Sequence, residues 1–360
     1  MFKTRQSVIR KDYSIATNGT HIFDLNLDDM ISRIVINPKV TNPNAYVAVG
    51  HPDEIITKIE IVDGSDVIVS LDAMQAKAMA FYGAYARPVS AMNYMALQWS
   101  FSPICIYFGR YLGDPKYMLD PNQFNNLQIK ISTVIAAAMT GTTVGYIDIV
   151  ADLLRKEAFQ PEGFLSAKEL EAITIVASAV HYTDLPSDLP IRQLLGVCFS
   201  DTQAPEYQVA SFELYEAQKK NLILDYDMED YQSVVQSEFR PFTEKIYGQA
   251  LTTDRNFWIT PAFERVAVLN DYGEANSVIT PESTGGQKAI ISAEANAIFE
   301  GIVHGWAPHG SCPYVYPLLD DEEGYWNVRE AGSGTLRINF HADADTTPTY
   351  DVCVQQLRKY

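Results

Sequence analysis

The sequence predicts an all-β protein made of two similar β-sandwiches in tandem. Three observations carry this. The 360 residues include 21 Tyr and 16 Phe besides many Val, Ile and Thr, a composition that favours sheet. Short stretches alternate apolar with polar residues, as at Ile59 and Ile61 or at Val67, Val69 and Leu71, which is how half-buried antiparallel strands read. The series of strand-like stretches in the first part of the chain also returns, in the same order, in the second. A chain of this length exceeds what one ordinary core fills, so two domains are expected.

Taken in order, the chain opens with a basic segment. MFKTRQSVIRKD holds Lys3, Arg5, Arg10 and Lys11 against Asp12 alone, a local charge of +3 in a chain whose net charge is −18. Residues 1–20 are therefore expected as a basic N-terminal arm that touches something anionic. The acidic body argues against a broad nucleic-acid-binding face, because it repels phosphates. No apolar run at the N-terminus reads as a signal peptide.

The first sandwich is expected over residues 21–156. ISRIVINPKVTN (Ile31–Asn42) gives one strand. KIEIVDGSDVIVSLDAMQAKAM (Lys58–Met79) gives two strands around a polar turn, then a helix for which Asp72 is the N-cap. SPICIYFGRYLGD (Ser102–Asp114) begins as strand and runs into a polar loop, residues 109–126. Asp114-Pro115 and Asp120-Pro121 start turns there, because Pro presets φ and Asp bonds the backbone ahead of it. LQIKI (Leu127–Ile131) and YIDIVADLLRK (Tyr146–Lys156) complete the set. The uncharged stretch Ile131–Ile147 holds five Ser or Thr and two Gly, and reads as two strands and a loop rather than a membrane span.

Residues 157–185 are read as a linker, and LPSDLPIRQL (Leu185–Leu194) as the way into the second sandwich, residues 186–360. IRQLLGVCFSD (Ile191–Asp201) matches the Ile31 strand. SFELYEAQKKNLILDYDMEDYQSV (Ser211–Val234) matches the strand pair and helix, with Asp227 in the place of Asp72. SCPYVYPLLDD (Ser311–Asp321), LRINF (Leu336–Phe340) and YDVCVQQLRK (Tyr350–Lys359) match the remainder. The offsets are 160, about 154, then about 209 and 204. Several pairs in one order indicate internal duplication, with roughly fifty extra residues before Ser311 in the second copy. This insertion, about 237–311, holds Phe257, Trp258, Ile259 and Phe263, and is expected to stand off the outer surface as a small cap. Lengthening a loop costs only about 0.6 kcal/mol per doubling. Eight strands with long end loops make the jelly-roll pattern. The expected fold is thus two tandem eight-stranded jelly-roll β-sandwiches with short helices and a loop insertion in the second.

Motifs that carry chemistry are scarce. His304, His309 and Cys312 in VHGWAPHGSC lack a fourth ligand for zinc. Ser333 in AGSGT misses the spacing of a nucleophile elbow. GGQKA (Gly285–Ala289) lacks the earlier Gly and the Ser/Thr of a phosphate loop. DYDMED (Asp225–Asp230), DDEE (Asp320–Glu323) and DAD (Asp343–Asp345) lack the spacing of an EF-hand. Cys105, Cys198, Cys312 and Cys353 lie in or beside apolar stretches, as buried free thiols do. No catalytic residue, cofactor or metal site is expected.

The DGSDVI turn with its helix (Asp63–Ala86), the run IYFGRYLGDPKYMLDPNQFNNLQIKI (Ile106–Ile131) and the C-terminal SGTLRINF…YDVCVQQLRKY (Ser333–Tyr360) give the chain a family likeness. It resembles the double jelly-roll major capsid proteins of tailless icosahedral viruses, the lineage of membrane-containing bacteriophages and adenovirus. Residues 235–310 take no part in the likeness. The resemblance implies a virion structural protein, not an enzyme, that forms homotrimers looking six-sided because each chain supplies two rolls. It implies assembly in the host cytoplasm and contacts with neighbouring capsomers and with minor or vertex proteins. It also implies a loop 109–126 that touches a neighbouring chain; the +3 charge of residues 1–12 adds an expected contact with internal membrane lipid or genome through Lys3, Arg5, Arg10 and Lys11. The alternative is a carbohydrate-binding or carbohydrate-acting protein on tandem sandwiches, since jelly rolls host many functions.

Overall fold

Alternation along the chain becomes sheet wherever one face meets the core. In β3 (Met30–Thr41), Ile34, Ile36 and Val40 are buried while Arg33, Val35, Asn37 and Lys39 between them are half-exposed. The computed structural model describes all residues except 1–2, 16–17, 42–48, 89, 138–144, 218, 250–254, 272–277, 282–283 and 293–297. Residues 249, 255, 264–271, 278–281, 290–292 and 299 are described by their backbone alone.

The first roll contains β1 (Thr4–Ser14), β2 (Gly19–Asp24), β3, β4 (Ile56–Asp63), β5 (Asp66–Leu71), β6 (Ile104–Tyr107), β7 (Leu127–Thr133) and β8 (Gly145–Leu154). They form two antiparallel arrays, β1-β8-β3-β6 and β2-β7-β4-β5. The second roll contains β9 (Gly163–Thr174), β10 (Val180–Asp184), β11 (Ile191–Val197), β12 (Val209–Glu216), β13 (Asn221–Asp227), β14 (Ser311–Val315), β15 (Gly334–Phe340) and β16 (Thr349–Lys359). Its arrays, β9-β16-β11-β14 and β10-β15-β12-β13, repeat the first order strand for strand.

The irregularities repeat as well. Pairing with the last strand of each roll skips Ile9 in β1 and Leu170 in β9, and both skipped residues pack against the core. It skips Ser32 in β3 and Arg192 in β11. A third register shift falls between Ile61 and Val62 in β4 and between Leu214 and Tyr215 in β12. A bulge re-aims a strand and is a specified feature rather than a defect, so three shared bulges are what a duplicated fold retains.

Helix α1 (Ala73–Ala84) follows β5, and α2 (Met228–Glu238) follows β13. Asp72 caps α1 in a reciprocal pair with Gln75: the Gln75 amide donates to Asp72 at 2.7 Å and the Asp72 amide to Gln75 at 2.9 Å. Asp227 holds the same position at α2 but makes no side-chain cap bond. The small residues of α1 let it lie buried between β6 of the first roll and β11 of the second. The rolls also join through sheet. β5 pairs in parallel with β9, Val69 beside Ala167 and Ser70 beside Lys168. One eight-stranded sheet, β2-β7-β4-β5-β9-β16-β11-β14, therefore crosses both rolls, and the main apolar core draws on both.

Three expectations are corrected. Residues 4–14 are not an arm but β1, an edge strand; its exposed faces give it a polar sequence that reads as a solvated terminus. Residues 157–185 are not a linker, because they contain β9 and β10. The first half of β9 is buried on both faces, so the alternation that marks a strand is missing there. Finally, the insertion does not stand apart. Its strands Phe242–Gln249, Ile298–Pro308 and Pro261–Asp271 form an antiparallel set. The first of them pairs in parallel with Ala91–Asn93 of the β5–β6 connection, so the insertion extends the first roll's sheet. A smaller sheet of Arg255–Trp258, Lys288–Ser292 and Val278–Pro281 lies beside it. Met92 and Tyr94 of the first half share a small core with Ile246, Phe257, Trp258 and Ile259 of the insertion.

Candidate functional site

The densest cluster of reactive side chains lies where the insertion meets the first roll. His51 begins a 3-10 turn (Pro52–Ile55), and its Nδ1 accepts the Asp53 amide at 3.1 Å. The proton of His51 is thus on Nε2, which donates to Thr260 Oγ1 at 3.2 Å. Thr260 in turn donates its hydroxyl to Glu244 at 2.7 Å and its amide at 2.8 Å. On the other side, Gln287 donates to His309 Nδ1 at 3.1 Å, and His309 Nε2 donates to Asp53 Oδ2 at 2.9 Å. Lys77, projecting from α1, places its ammonium 2.6 Å from the same oxygen and 2.5 Å from Ser102 Oγ. His309 is held at φ +56 and followed by Gly310 at φ +67. A Cβ on Gly310 would lie 2.0 Å from the Cys198 carbonyl oxygen, so only glycine fits this turn.

Burial sets the electrostatics. His51, Asp53, Thr260, Gln287 and His309 are each 0% exposed. Burial pushes both imidazoles below the usual histidine value, against the pull of Asp53. Burial alone would raise Asp53, but the Lys77 ammonium, with His51 and His309, outweighs it and holds the carboxyl well below the usual range. Glu244 is pushed up to about 7 and Glu54 up to about 8, both chiefly by burial.

His51, Asp53 and His309 are also the one group among the described residues whose ligand atoms, within 4.8 Å of one another, suit a metal ion. They already hold a cation, the Lys77 ammonium, and every imidazole nitrogen has a hydrogen-bond partner. The chemistry of the donor set is that of a charge-balanced clamp, with no face open to a substrate. Of the motif residues His304, His309 and Cys312, only His309 belongs to it. His304 meets Thr243 at 3.2 Å on the surface and Cys312 is buried in β14. Sequence reading missed the cluster, because its members are scattered from residue 51 to residue 309.

The loop 109–126 proves to be a clasp within the chain. Asp114, 0% exposed, receives Arg110 Nε at 2.7 Å, Arg110 Nη2 at 2.9 Å and two backbone amides. Arg110 also donates to the Asp320 carbonyl at 3.1 Å, and Tyr117 donates to Glu322 at 2.7 Å. The Asp120 amide donates to the Tyr360 hydroxyl, which donates to the Met118 carbonyl at 2.7 Å. The loop thus fastens the first roll to the β14–β15 connection and to the C-terminus.

The four N-terminal cations lie along or beside β1. Arg5 pairs with Asp29 at 2.6 Å. Lys3 is 5.9 Å from the Phe159 ring centre and Arg10 is 5.2 Å from that of Phe23. Arg10 and Lys11 are exposed. All four cysteines are free thiols. No helix among the described residues is long and apolar enough to cross a membrane.

Two sandwiches of one strand order, fastened by sheet, clasp and clamp, invite comparison with solved structures. The chain superposes on the STIV MCP, from Sulfolobus turreted icosahedral virus, with a TM-score of 0.60 over 98% of this chain and 96% of that one, at 10% identity. The fold is a double jelly roll. PBCV-1 VP54 matches with a TM-score of 0.55 at 9% identity, over 99% of this chain and 94% of that one. The major capsid protein P2 of bacteriophage PM2 matches with 0.54 at 8% identity, over 99% and 98%. No protein-family model and no curated protein matches the sequence.

Proposed function

We propose that this chain is the major capsid protein of a tailless icosahedral virus and assembles as a homotrimer. The observation that carries the reading is the duplication: two rolls with one strand order and three shared bulges, in a fold that spans the chain and matches capsid proteins end to end. Three such chains offer six similar rolls, which is what a three-chain block needs to pack among six neighbours. The clamp and the clasp serve this role by making two rolls one rigid brick. In this reading the chain resides in the virion after assembly in the host cytoplasm. Its partners are its own copies, neighbouring capsomers and minor or vertex proteins, and it does no chemistry. A contact with internal lipid or genome rests on Lys3, since Arg5 is paired with Asp29 and Arg10 and Lys11 lie on the open edge of β1. No observation favours a carbohydrate-acting protein. Electron microscopy of the purified protein tests the proposal. Three-fold particles with a six-sided outline are the expected image; single two-lobed particles at every concentration would refute it.

A further inference from the structure

We infer that copies of this chain join edge to edge, β1 of one copy against β13 of the next, in the arrangement that β9 and β5 adopt within the chain. This rests on the assembly proposed above and names the surface that carries it. The shared bulges fix which residues correspond. Ile9 answers to Leu170, so Gln6 answers to Ala167 and Ser7 to Lys168. The bulges beside β5 and β13 place Val69 with Leu224 and Ser70 with Asp225. Inside the chain Val69 pairs with Ala167 and Ser70 with Lys168. The corresponding strands, β13 and β1, each end a sheet. Between copies, Leu224 would therefore lie beside Gln6, and Asp225 beside Ser7.

Both edges are exposed in side chains as well as in backbone. β13 exposes Leu222, Ile223 and Tyr226 at 57, 42 and 39%, and β1 exposes Val8 at 61%. An apolar open edge is a template for another strand, and proteins cover it or blunt it. Charge selects the occupant. Arg10 and Lys11 on β1 are exposed and make no salt bridge among the described residues, and neither do Asp225, Asp227, Glu229 and Asp230 in NLILDYDMED. A basic edge and an acidic edge on one molecule fit a second copy, head to tail.

The intrachain junction supplies two further correspondences. There, Gln75 of α1 donates to Glu169 of β9 at 2.7 Å; the residue of α2 in the place of Gln75 is Asp230, and that of β1 in the place of Glu169 is Val8, two residues before Arg10. Arg358 grips Asp66 across the same junction at 2.9 and 2.5 Å. Their counterparts are Arg155 and Asn221. Arg155 is half-buried and Asn221 exposed, and the Arg155 guanidinium would lie beside the Asn221 carboxamide of the next copy. A head-to-tail contact of this kind closes into a ring when its rotation allows.

Charge reversal on the full chain tests this, read by light scattering. Arg10→Glu with Lys11→Glu, or Asp225→Lys with Asp230→Lys, should each shift the mass from three chains to one. All four changes in one chain should restore three. As a readout that does not depend on those variants folding, Ser7→Cys with Asp225→Cys should give a disulfide ladder ending at three chains on a non-reducing gel, and neither single Cys should. A parent that is trimeric while the reversed variants stay trimeric and the Cys pair fails to cross-link would overturn the edge contact and leave the capsid reading standing. A monomeric parent would overturn both.

Discussion

Asp53 and Lys77 form an ion pair with no access to water, so each depends on the other. Lys77→Met would leave a carboxylate buried beside two neutral imidazoles. Removing one partner of a buried pair costs about 3–5 kcal/mol, and chemical denaturation of the variant is expected to show a loss of that size. Changing both, Asp53→Asn with Lys77→Met, should lose less than the sum of the single losses. Glu244 makes a pH test of the same cluster. It sits near 7 in the fold against an ordinary 4.5, so the folded state prefers its protonated form. Stability is therefore lost as pH rises from 4.5, and the loss is complete above about 7. Glu54, raised to about 8, acts in the same sense. His51 and His309 act in the opposite sense, because the fold disfavours their protonation below 6.5. Relative to its value at pH 4.5, the Tm difference between Glu244→Gln and the parent should move in the variant's favour up to about pH 7 and then level off. A flat difference would show that Glu244 is not buried in its charged form. None of this was legible beforehand. A cluster assembled from a 3-10 turn, a helix and four parts of an insertion leaves no spacing in the sequence, and His309 was visible only as part of a poor zinc motif.

At the scale of elements, strands were legible where one face turns to the core and one outward, as in β7 and β15, and the two helices through the Asp that precedes each. The strands that escaped lie at the extremes of exposure. β1 ends a sheet and β9 crosses the middle of an eight-stranded one, so neither alternates along its whole length. The prolines at 186 and 190 then set the boundary too late, at the turn between β10 and β11. The caps were readable as positions, but only Asp72 makes the bond. Asp72→Ala is expected to cost about 1 kcal/mol, the usual worth of an N-cap, and thermal melts should show little change for Asp227→Ala. The insertion was legible in length and place but not in attachment. If it were a free cap, replacing residues 240–305 with a short Gly/Ser linker would leave the rolls intact. The structure gives the opposite expectation. Excision removes Glu244, Thr260 and Gln287 from the clamp and uncovers Met92 and Tyr94, so the shortened chain should be insoluble or unfolded by circular dichroism.

For the whole molecule, duplication was the most informative signal in the sequence, because it survives where individual residues do not. The offsets of 160, about 154, 209 and 204 between matching stretches are close to those between matching strands of the two rolls. The clasp, the clamp and the β5–β9 pairing were not legible, since each joins distant parts of the chain. They make the two rolls one body, and in the function proposed above that body is one third of a six-sided block. The most direct test is the mass of the native protein by size-exclusion chromatography with light scattering at micromolar concentration. The expected result is three times the 40.2 kDa of one chain, falling towards one chain as salt screens the paired edges. A mass of one chain at every salt concentration would contradict the account.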